Sequence, residues 1–138
     1  MSLFNVFDIA GSAMSAESVR LNVTSSNLAN AQSVGSSPET TYHARHPVFS
    51  AVMKSMQGDA ASYGVRVDGV VQSQSPLEQR FQPEHPMAND EGYVFVPNVN
   101  LVDEMANMIS ASRSYQSNVE VLNTSKQLML ATLRLGQS

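Results

Sequence analysis

The three histidines are the side chains best suited to chemistry near neutral pH, because imidazole can ligate a metal or carry a proton. His43 and His46 stand three residues apart, and His85 lies far along the chain. Three histidines are enough to hold a zinc ion. However, His46 and His85 each precede a proline, which favours extended or turn backbone, and no carboxylate stands at a recognisable ligand spacing. The pattern therefore favours solvated loop histidines and predicts no metal site.

Other common catalytic signatures are missing from the sequence. The chain has no cysteine, which excludes disulfides and thiolate zinc sites. It contains neither a G-x-S-x-G nucleophile elbow nor a glycine-rich phosphate loop. A net charge of −4 gives no electrostatic case for binding nucleic acid. We predict that the protein is not an enzyme, and we expect no catalytic residue, no cofactor, no small-molecule substrate and no nucleic acid.

The distribution of proline divides the chain into three parts. All six prolines lie between Pro38 and Pro97, so both ends are free of them. This pattern predicts an N-terminal helical arm over residues 1–34, a β-rich middle domain with loops over 35–97, and a C-terminal helical arm over 98–138. The predicted fold class is α+β, with the two long helices pairing as a coiled-coil-like hairpin.

A stripe of apolar residues at seven-residue spacing predicts how the two arms pack. Such spacing places side chains on one face of a helix. In the N-terminal arm, Asn5 is the predicted cap, and the helix should end at residues 30–33. In the C-terminal arm, Asn100 is the predicted cap, Gly136 the predicted end, and the length about 50 Å. The predicted assembly seam consists of Phe7, Met14, Leu21, Leu28, Leu101, Met105, Met108, Tyr115, Val119, Leu122, Met129 and Leu133.

The polar faces of both arms are rich in Ser, Asn, Thr and Gln. In the first 37 residues, only Asp8, Glu17 and Arg20 are charged. Helices that face water usually carry Glu and Lys. A weakly charged polar face can be surrounded by other helices without burying charge, which indicates packing among neighbouring subunits. The alternative is an ordinary two-helix hairpin with a serine-rich exposed side.

The middle of the chain has short β patterns separated by turn residues. Residues 65–71 alternate between apolar and polar and predict a strand, with residues 77–82 as its partner. Residues 93–96 predict a short strand, and residues 57–62 predict a hairpin tip. Residues 42–53 predict an edge strand, because Pro47 cannot donate a ladder hydrogen bond.

No part of the sequence is typical of a membrane span or a cleavable signal peptide. The longest apolar runs fall far short of the ~20 residues that a spanning helix needs. The first residues lack a basic n-region, and Asp8 interrupts their apolar stretch. A protein of this kind that acts outside the cytoplasm would need another export route.

Both arms carry strings that resemble the terminal signatures of the flagellar rod and hook family. Residues 9–30 read IAGSAMSAESVRLNVTSSNLAN, residues 97–108 read PNVNLVDEMANM, and residues 109–121 read ISASRSYQSNVEV. Glu17 departs from the family, which usually has glutamine there. Just after the N-terminal helix, relatives often carry a turn with glycine and threonine, and this sequence has Val34-Gly35-Ser36-Ser37 instead. The residues that match the family motif are Arg20, Leu21, Asn22, Asn27, Leu28, Ala29, Asn30, Pro97, Asn98, Asn100, Glu104, Met105, Arg113, Tyr115 and Gln116.

The resemblance implies a structural subunit of the flagellar basal body. The short length points to the proximal rod, because hook and distal-rod proteins have larger middle domains. The implied partners are other rod proteins, copies of the chain itself, the flagellar type III export apparatus, and MS-ring or export-gate components at the rod base. The implied location is the rod that crosses the periplasm, reached without a cleaved signal. The alternatives are another rod subunit of similar length, a secreted coiled-coil adaptor of a type III system, and a small metal-dependent enzyme that uses the histidines.

Overall fold

The computed structural model describes residues 3–54 and 62–136. Two long helices stand at the ends of the chain, and four strands lie between them. In chain order the elements are α1 (Leu3–Asn30), β1 (Arg45–Lys54), β2 (Ser62–Gln72), β3 (Glu78–Phe81), β4 (Tyr93–Val96) and α2 (Leu101–Leu135). The α+β prediction is therefore confirmed, with a long helix on each side of a small antiparallel region.

The end of α1 and both ends of α2 lie where the sequence predicts, but the start of α1 does not. The Asn100 side chain accepts hydrogen bonds from the backbone N–H groups of Val102 (3.0 Å) and Asp103 (3.4 Å), as a cap does. In contrast, α1 already begins at Leu3, so the prediction of Asn5 as its cap is wrong. Asn5 is buried and lies inside the helix, two residues after its start.

The strands form two separate antiparallel hairpins. Strand β1 pairs with β2, with a bulge beside Val48 and Phe49, and β3 pairs with β4. The prediction that residues 77–82 pair with residues 65–71 is wrong. After β2, the N–H of Ser73 donates to the carbonyl of Ala44 (2.7 Å), and the Asn98 side chain donates to the carbonyl of Ser75 (2.7 Å). These bonds lead the chain toward β4. Of the hairpin tip predicted at residues 57–62, residues 57–61 lie outside the described residues.

The two helices are antiparallel and have different neighbours. Helix α1 ends shortly before Gly35, which forms a bridge with Phe95 shortly before α2 begins. Among the elements described, α1 contacts α2, β1 and β2, whereas α2 contacts α1 alone. Helix α1 therefore lies between the β1–β2 hairpin on one side and α2 on another.

The buried core consists mostly of small side chains. It includes alanines from both helices, which allow the backbones to approach closely, and three successive residues of β4. Many large apolar side chains consequently remain at the surface of the subunit. The buried apolar residues are Ala10, Ala16, Ala31, Ala44, Val94, Phe95, Val96 and Ala111.

Candidate assembly interface

The motif residue Asn27 fastens α1 to the middle of the chain. Its side chain is fully buried (0 % exposed). Its Nδ2 donates to the carbonyl of Arg45 (2.8 Å), and its Oδ1 accepts from the hydroxyl of Tyr42 (2.8 Å) and the N–H of Arg45 (2.9 Å). These bonds fix the start of β1 against α1. Losing one of them would leave a buried polar group without a hydrogen-bond partner, which is costly. The sequence marks Asn27 through the N-L-A-N string but gives no sign of its partners.

Two further motif asparagines organise the start of α2. The Oδ1 of Asn98 accepts from the N–H of Ala44 (2.8 Å), and its Nδ2 donates to the carbonyl of Ser75. Asn98 therefore joins the segments before β1 and after β2 to the approach to α2. Asn100 then caps the helix. Pro97, which directly follows β4, is buried.

Arg20 of the R-L-N string connects the two helices. Its Nη2 donates to the Oδ1 of Asn107 on α2 (3.1 Å), and its Nη1 lies 3.6 Å from Glu17. The departure from the family at Glu17 therefore supplies an ion pair within α1. Because the helices are antiparallel, this contact shows which residues of α1 and α2 lie opposite each other. Counted from it, α2 extends beyond the start of α1 by about 11 residues, or roughly 16 Å.

Tyr42 lies where charges from two elements meet. Burial raises the pKa of the Tyr42 phenol above its ordinary value, the nearby Arg45 guanidinium opposes this, and the charge of Glu104 adds to it. Arg45 also stacks over the Tyr42 ring at 5.4 Å from its centroid. Glu104, a motif residue in the first turn of α2, is buried. The electrostatics of this junction thus couple α2 to the anchor of α1.

The predicted seam residues fall into two groups in the structure. One group is partly buried, which is consistent with cover from within the subunit, and the other is exposed. The partly buried seam residues are Phe7, Met14, Leu21, Leu28, Met108, Tyr115, Val119, Leu122 and Met129. The exposed seam residues are Leu101, Met105 and Leu133.

The remaining motif residues lie mainly at the surface of the helices. Asn30 makes a local bond from its Nδ2 to the carbonyl of Ser26 (2.8 Å). The exposed motif residues, apart from those already placed, are Asn22, Ala29, Arg113 and Gln116. Burial within one subunit does not account for the presence of these residues in the motif. Contacts between subunits are the alternative explanation.

Helix α2 exposes more apolar surface than the predicted seam contains. Near its start, Val102 and Ile109 are exposed beside Leu101 and Met105. At its other end, every residue over 126–136 except Met129 is exposed. We call residues 126–136 the α2 extension. Large exposed apolar patches mark interaction sites in proteins. The exposed large apolar residues of α2 are Leu101, Val102, Met105, Ile109, Val121, Leu128, Leu130, Leu133 and Leu135.

The β1–β2 hairpin presents a second apolar surface, which sequence analysis missed. A Cβ added to Gly64 would lie 3.1 Å from the hydroxyl of Ser12 on α1, so that face of the hairpin points toward the helix. Residues alternate between the faces of a strand, and directly paired residues share a face. The opposite, outward face therefore holds cross-strand pairs without charge. They are Pro47 with Val70, Phe49 with Val67, Ala51 with Val65, and Met53 with Tyr63.

Two of the three histidines have local hydrogen-bond partners. A ring nitrogen of His43 lies 3.3 Å from the carbonyl of Pro38, and His85 Nδ1 accepts from the N–H of Met87 (3.1 Å). His46 is exposed on β1. Within residues 3–54 and 62–136, no three side chains of the His, Cys, Asp or Glu type are grouped to hold a metal. In the same part of the chain, no helix has the length and apolar character to cross a bilayer.

Comparison with known proteins gives concordant results along the whole chain. Residues 7–35 match the family described as "Flagella basal body rod protein", and residues 90–135 match "Flagellar basal body rod FlgEFG protein C-terminal". Among curated proteins, the chain is 53% identical to the flagellar basal-body rod protein FlgC of Escherichia coli O6:H1 and to that of Yersinia enterocolitica. It is 52% identical to the FlgC protein of Salmonella typhimurium. Each alignment covers 99% of this chain and 100% of the relative.

Proposed function

The chain belongs to the FlgC family of flagellar basal-body rod proteins, and from this membership we propose that its seam residues and the exposed face of α2 form the surface on which rod subunits assemble. The protein is a structural, non-enzymatic subunit of the proximal rod in the flagellar basal body. It assembles with other rod proteins.

The observation that carries the proposal is the apolar surface left uncovered on α2. Burying one large apolar side chain contributes about 1.5–3 kcal/mol, so a row of exposed ones represents binding free energy that the single subunit does not use. Leu101, Met105 and Leu133 belong to this row and to the predicted seam. Packing several copies side by side would cover these residues and surround the polar faces of the helices. A rod built in this way repeats the same contact at every subunit.

A substitution on this surface should stop assembly without unfolding the subunit. We expect Leu133→Asp to abolish motility, because it places a charge in an apolar contact between subunits. The matched control is Gln127→Asp, which puts the same charge on an exposed polar position of the same helix end. Both variants are expressed in cells that lack the native chain, swimming is scored, and basal bodies are viewed by electron microscopy. Rings without a rod are expected for Leu133→Asp, and intact rods for the control.

The half-buried seam positions provide a second test. Leu21→Asp and Leu122→Asp should also block assembly, and thermal unfolding of the purified variants distinguishes lost assembly from lost folding. Leu133 is exposed, so unfolding cannot explain its phenotype when the helix content of the variant is unchanged. Normal swimming with all three variants would contradict the proposed seam.

We further propose that the subunit reaches the rod through the flagellar type III export apparatus and meets MS-ring or export-gate components at the rod base. The route is supported by family membership. Secretion of the chain by cells with and without a working export apparatus tests the first part. Equal secretion by both would contradict it.

We also propose the division into arms over residues 1–34 and 98–138 and a middle domain over 35–97.

A further inference from the structure

An exposed aromatic pair stands at the loop end of the β3–β4 hairpin. Phe81 and Tyr93 are cross-strand partners, and their rings meet edge to face with centroids 5.2 Å apart. Phe81 is nevertheless 64% exposed, and Tyr93 is 37% exposed. We call these two residues the aromatic patch. Exposed apolar surface rimmed by polar residues marks interaction sites, and aromatic side chains are enriched among the anchors of interfaces.

The loop over residues 82–92 holds the aromatic patch in place without covering it. The N–H of Asn89 donates to the carbonyl of Tyr93 (2.9 Å), its Oδ1 accepts from the N–H of Tyr93 (2.9 Å), and its carbonyl accepts from the N–H of Gly92 (2.9 Å). A Cβ added to Gly92 would lie 2.9 Å from the Phe81 ring, so the ring lies against the loop at a residue without a side chain. A platform ordered in advance loses less conformational freedom when a partner binds.

The surroundings of the aromatic patch are acidic. Between positions 73 and 112 of the sequence, the sole lysine or arginine is Arg80. Its Nε and Nη2 both donate to the Glu78 carboxylate (2.9 and 3.1 Å), which leaves no free base there. The exposed acidic residues of β3 and the loop are Glu78, Glu84, Asp90 and Glu91.

Aromatic rings beside carboxylates suit a cation with a flat, apolar face. Guanidinium stacks on aromatic rings and also pairs with carboxylates, whereas an ammonium group is a more strongly hydrated point charge. The chain already contains one such contact, because Arg45 stacks over the Tyr42 ring at 5.4 Å from its centroid.

We propose that the aromatic patch binds an arginine-bearing segment of a different protein. The guanidinium stacks on the exposed Phe81 or Tyr93 ring, and the carboxylates of Glu84 and Glu91 neutralise its charge. This surface lies on the β3–β4 hairpin, apart from the helical seam and the exposed face of α2. The inference therefore goes beyond the assembly surface proposed above.

Charge selects a basic protein segment over the other occupants. Anionic lipid headgroups and nucleic acid would meet charge of the same sign. A neutral glycan could stack on the rings but would leave the carboxylates without a counter-charge. A second copy carries the same net charge of −4, and the arginines of its strands β2 and β3 are already paired with Asp68 and Glu78.

Fluorescence anisotropy with a labelled peptide of three arginines separated by serines tests the chemistry. The control peptide has citrulline, which keeps the shape and removes the charge. Phe81→Leu and Tyr93→Leu should each weaken binding of the arginine peptide about threefold, and Glu84→Gln combined with Glu91→Gln about fivefold at low salt. Phe49→Leu and Glu120→Gln, at exposed positions elsewhere, should leave it unchanged. Equal binding of the citrulline peptide, or equal losses in the control variants, would overturn the proposal.

Photo-cross-linking in flagellated cells tests the occupant. The chain carries p-benzoylphenylalanine in place of Phe81, and mass spectrometry maps the attached segment. We expect an arginine-bearing segment of a different protein, and Glu84→Lys with Glu91→Lys in the same chain should lower the yield about fivefold. An adduct with a second copy, a lipid or a glycan, or no adduct at all, would overturn the proposal. Swimming of the seam variants tests the proposed function separately, because those substitutions leave the aromatic patch intact.

Discussion

The two long helices have similar apolar spacing but very different surfaces. No large apolar side chain of α1 over residues 5–30 is exposed, whereas α2 exposes them from its first turn to its last. Composition does not explain the contrast, since both helices are poor in charge and rich in Ser and Asn. The neighbours explain it. Helix α1 has the β1–β2 hairpin and α2 around it, while α2 has α1 alone among the described elements.

The contrast assigns different tasks to two helices that the sequence presents as equivalent arms. Helix α1 is the internal support of the subunit, because its large apolar side chains over residues 5–30 are at least partly covered before any partner arrives. Helix α2 is attached along its first part and presents the remaining apolar surface to other subunits. Substitutions in α1 and its anchors should therefore reduce the stability of the subunit. Substitutions on the exposed face of α2 should reduce assembly instead.

The largest expected effect on stability lies at the anchor of α1. Asn27→Ala removes an amide that holds Tyr42 and Arg45, leaving a backbone N–H and carbonyl without partners. We expect the free energy of unfolding to fall by about 2–4 kcal/mol. Urea unfolding followed by circular dichroism measures it. The matched control is Asn30→Ala in the same motif, whose side chain makes a local bond to Ser26 and should change stability by about 0.5 kcal/mol or less. Equal losses would show that Asn27 is not the anchor.

The next effect separates the attached part of α2 from its extension. Ala111 is fully buried (0 % exposed), so Ala111→Leu must displace neighbouring side chains and should cost about 1–3 kcal/mol. Ala131→Leu inserts the same side chain on the extension, at an exposed position, and should change stability by about 0.5 kcal/mol or less. Thermal unfolding of both variants checks this. If both lose stability equally, the extension is packed within the subunit and the comparison between the helices fails.

A smaller effect on the subunit is expected for the exposed leucines. Leu133→Gln should leave the unfolding free energy within about 0.5 kcal/mol of the native value, because the side chain is exposed before and after the change. Leu21→Gln on the seam of α1 should cost more, since Leu21 is partly buried. Both are expected to weaken assembly, measured as rod formation in cells. A large loss of stability for Leu133→Gln would mean that α2 is not an open surface.

The long elements could be predicted from the sequence because their signals are local. Seven-residue apolar spacing gives the helices, and an asparagine followed by acidic residues gives the start of α2. Strands β2 and β4 follow from alternation and β-branched residues. The start of α1 was misplaced because Asn5 resembles a cap, whereas the helix begins at Leu3.

What could not be predicted depends on contacts distant in sequence. The pairing of β3 with β4 goes together with the bonds of Asn98 and Ser73 to distant parts of the chain, which no local pattern indicates. The seam positions follow from periodicity, but periodicity is the same for a residue covered by its own subunit and one covered by a neighbour. Leu21 and Leu133 therefore look alike in the sequence and differ in exposure. The outward face of the hairpin was missed because its apolar character becomes visible only when the register of β1 and β2 is known.

The smallest expected effect tests whether the two helices meet electrostatically at Tyr42. Burial raises the pKa of this phenol from its ordinary value of 10.0, and the charge of Glu104 on α2 adds to the rise while Arg45 opposes it. The unfolded chain therefore loses this proton at lower pH than the folded one. The resulting contribution to stability is fully present below pH 10 and is lost as the pH rises through the folded pKa. The ultraviolet titration of the native chain, minus that of Tyr42→Phe, isolates the Tyr42 transition, which should lie above pH 10.

Glu104→Gln removes one of the two causes of the raised pKa and leaves the other. The midpoint of the Tyr42 transition should then move down toward the ordinary value without reaching it, because burial is the larger cause. The control is Glu120→Gln, an exposed position of α2 far along the helix from Glu104, which should leave the midpoint unchanged. An unchanged midpoint for Glu104→Gln would mean that the first turn of α2 does not act on the anchor of α1. The helices would then be joined through Arg20 and apolar packing, and the division of tasks between them would rest on burial alone.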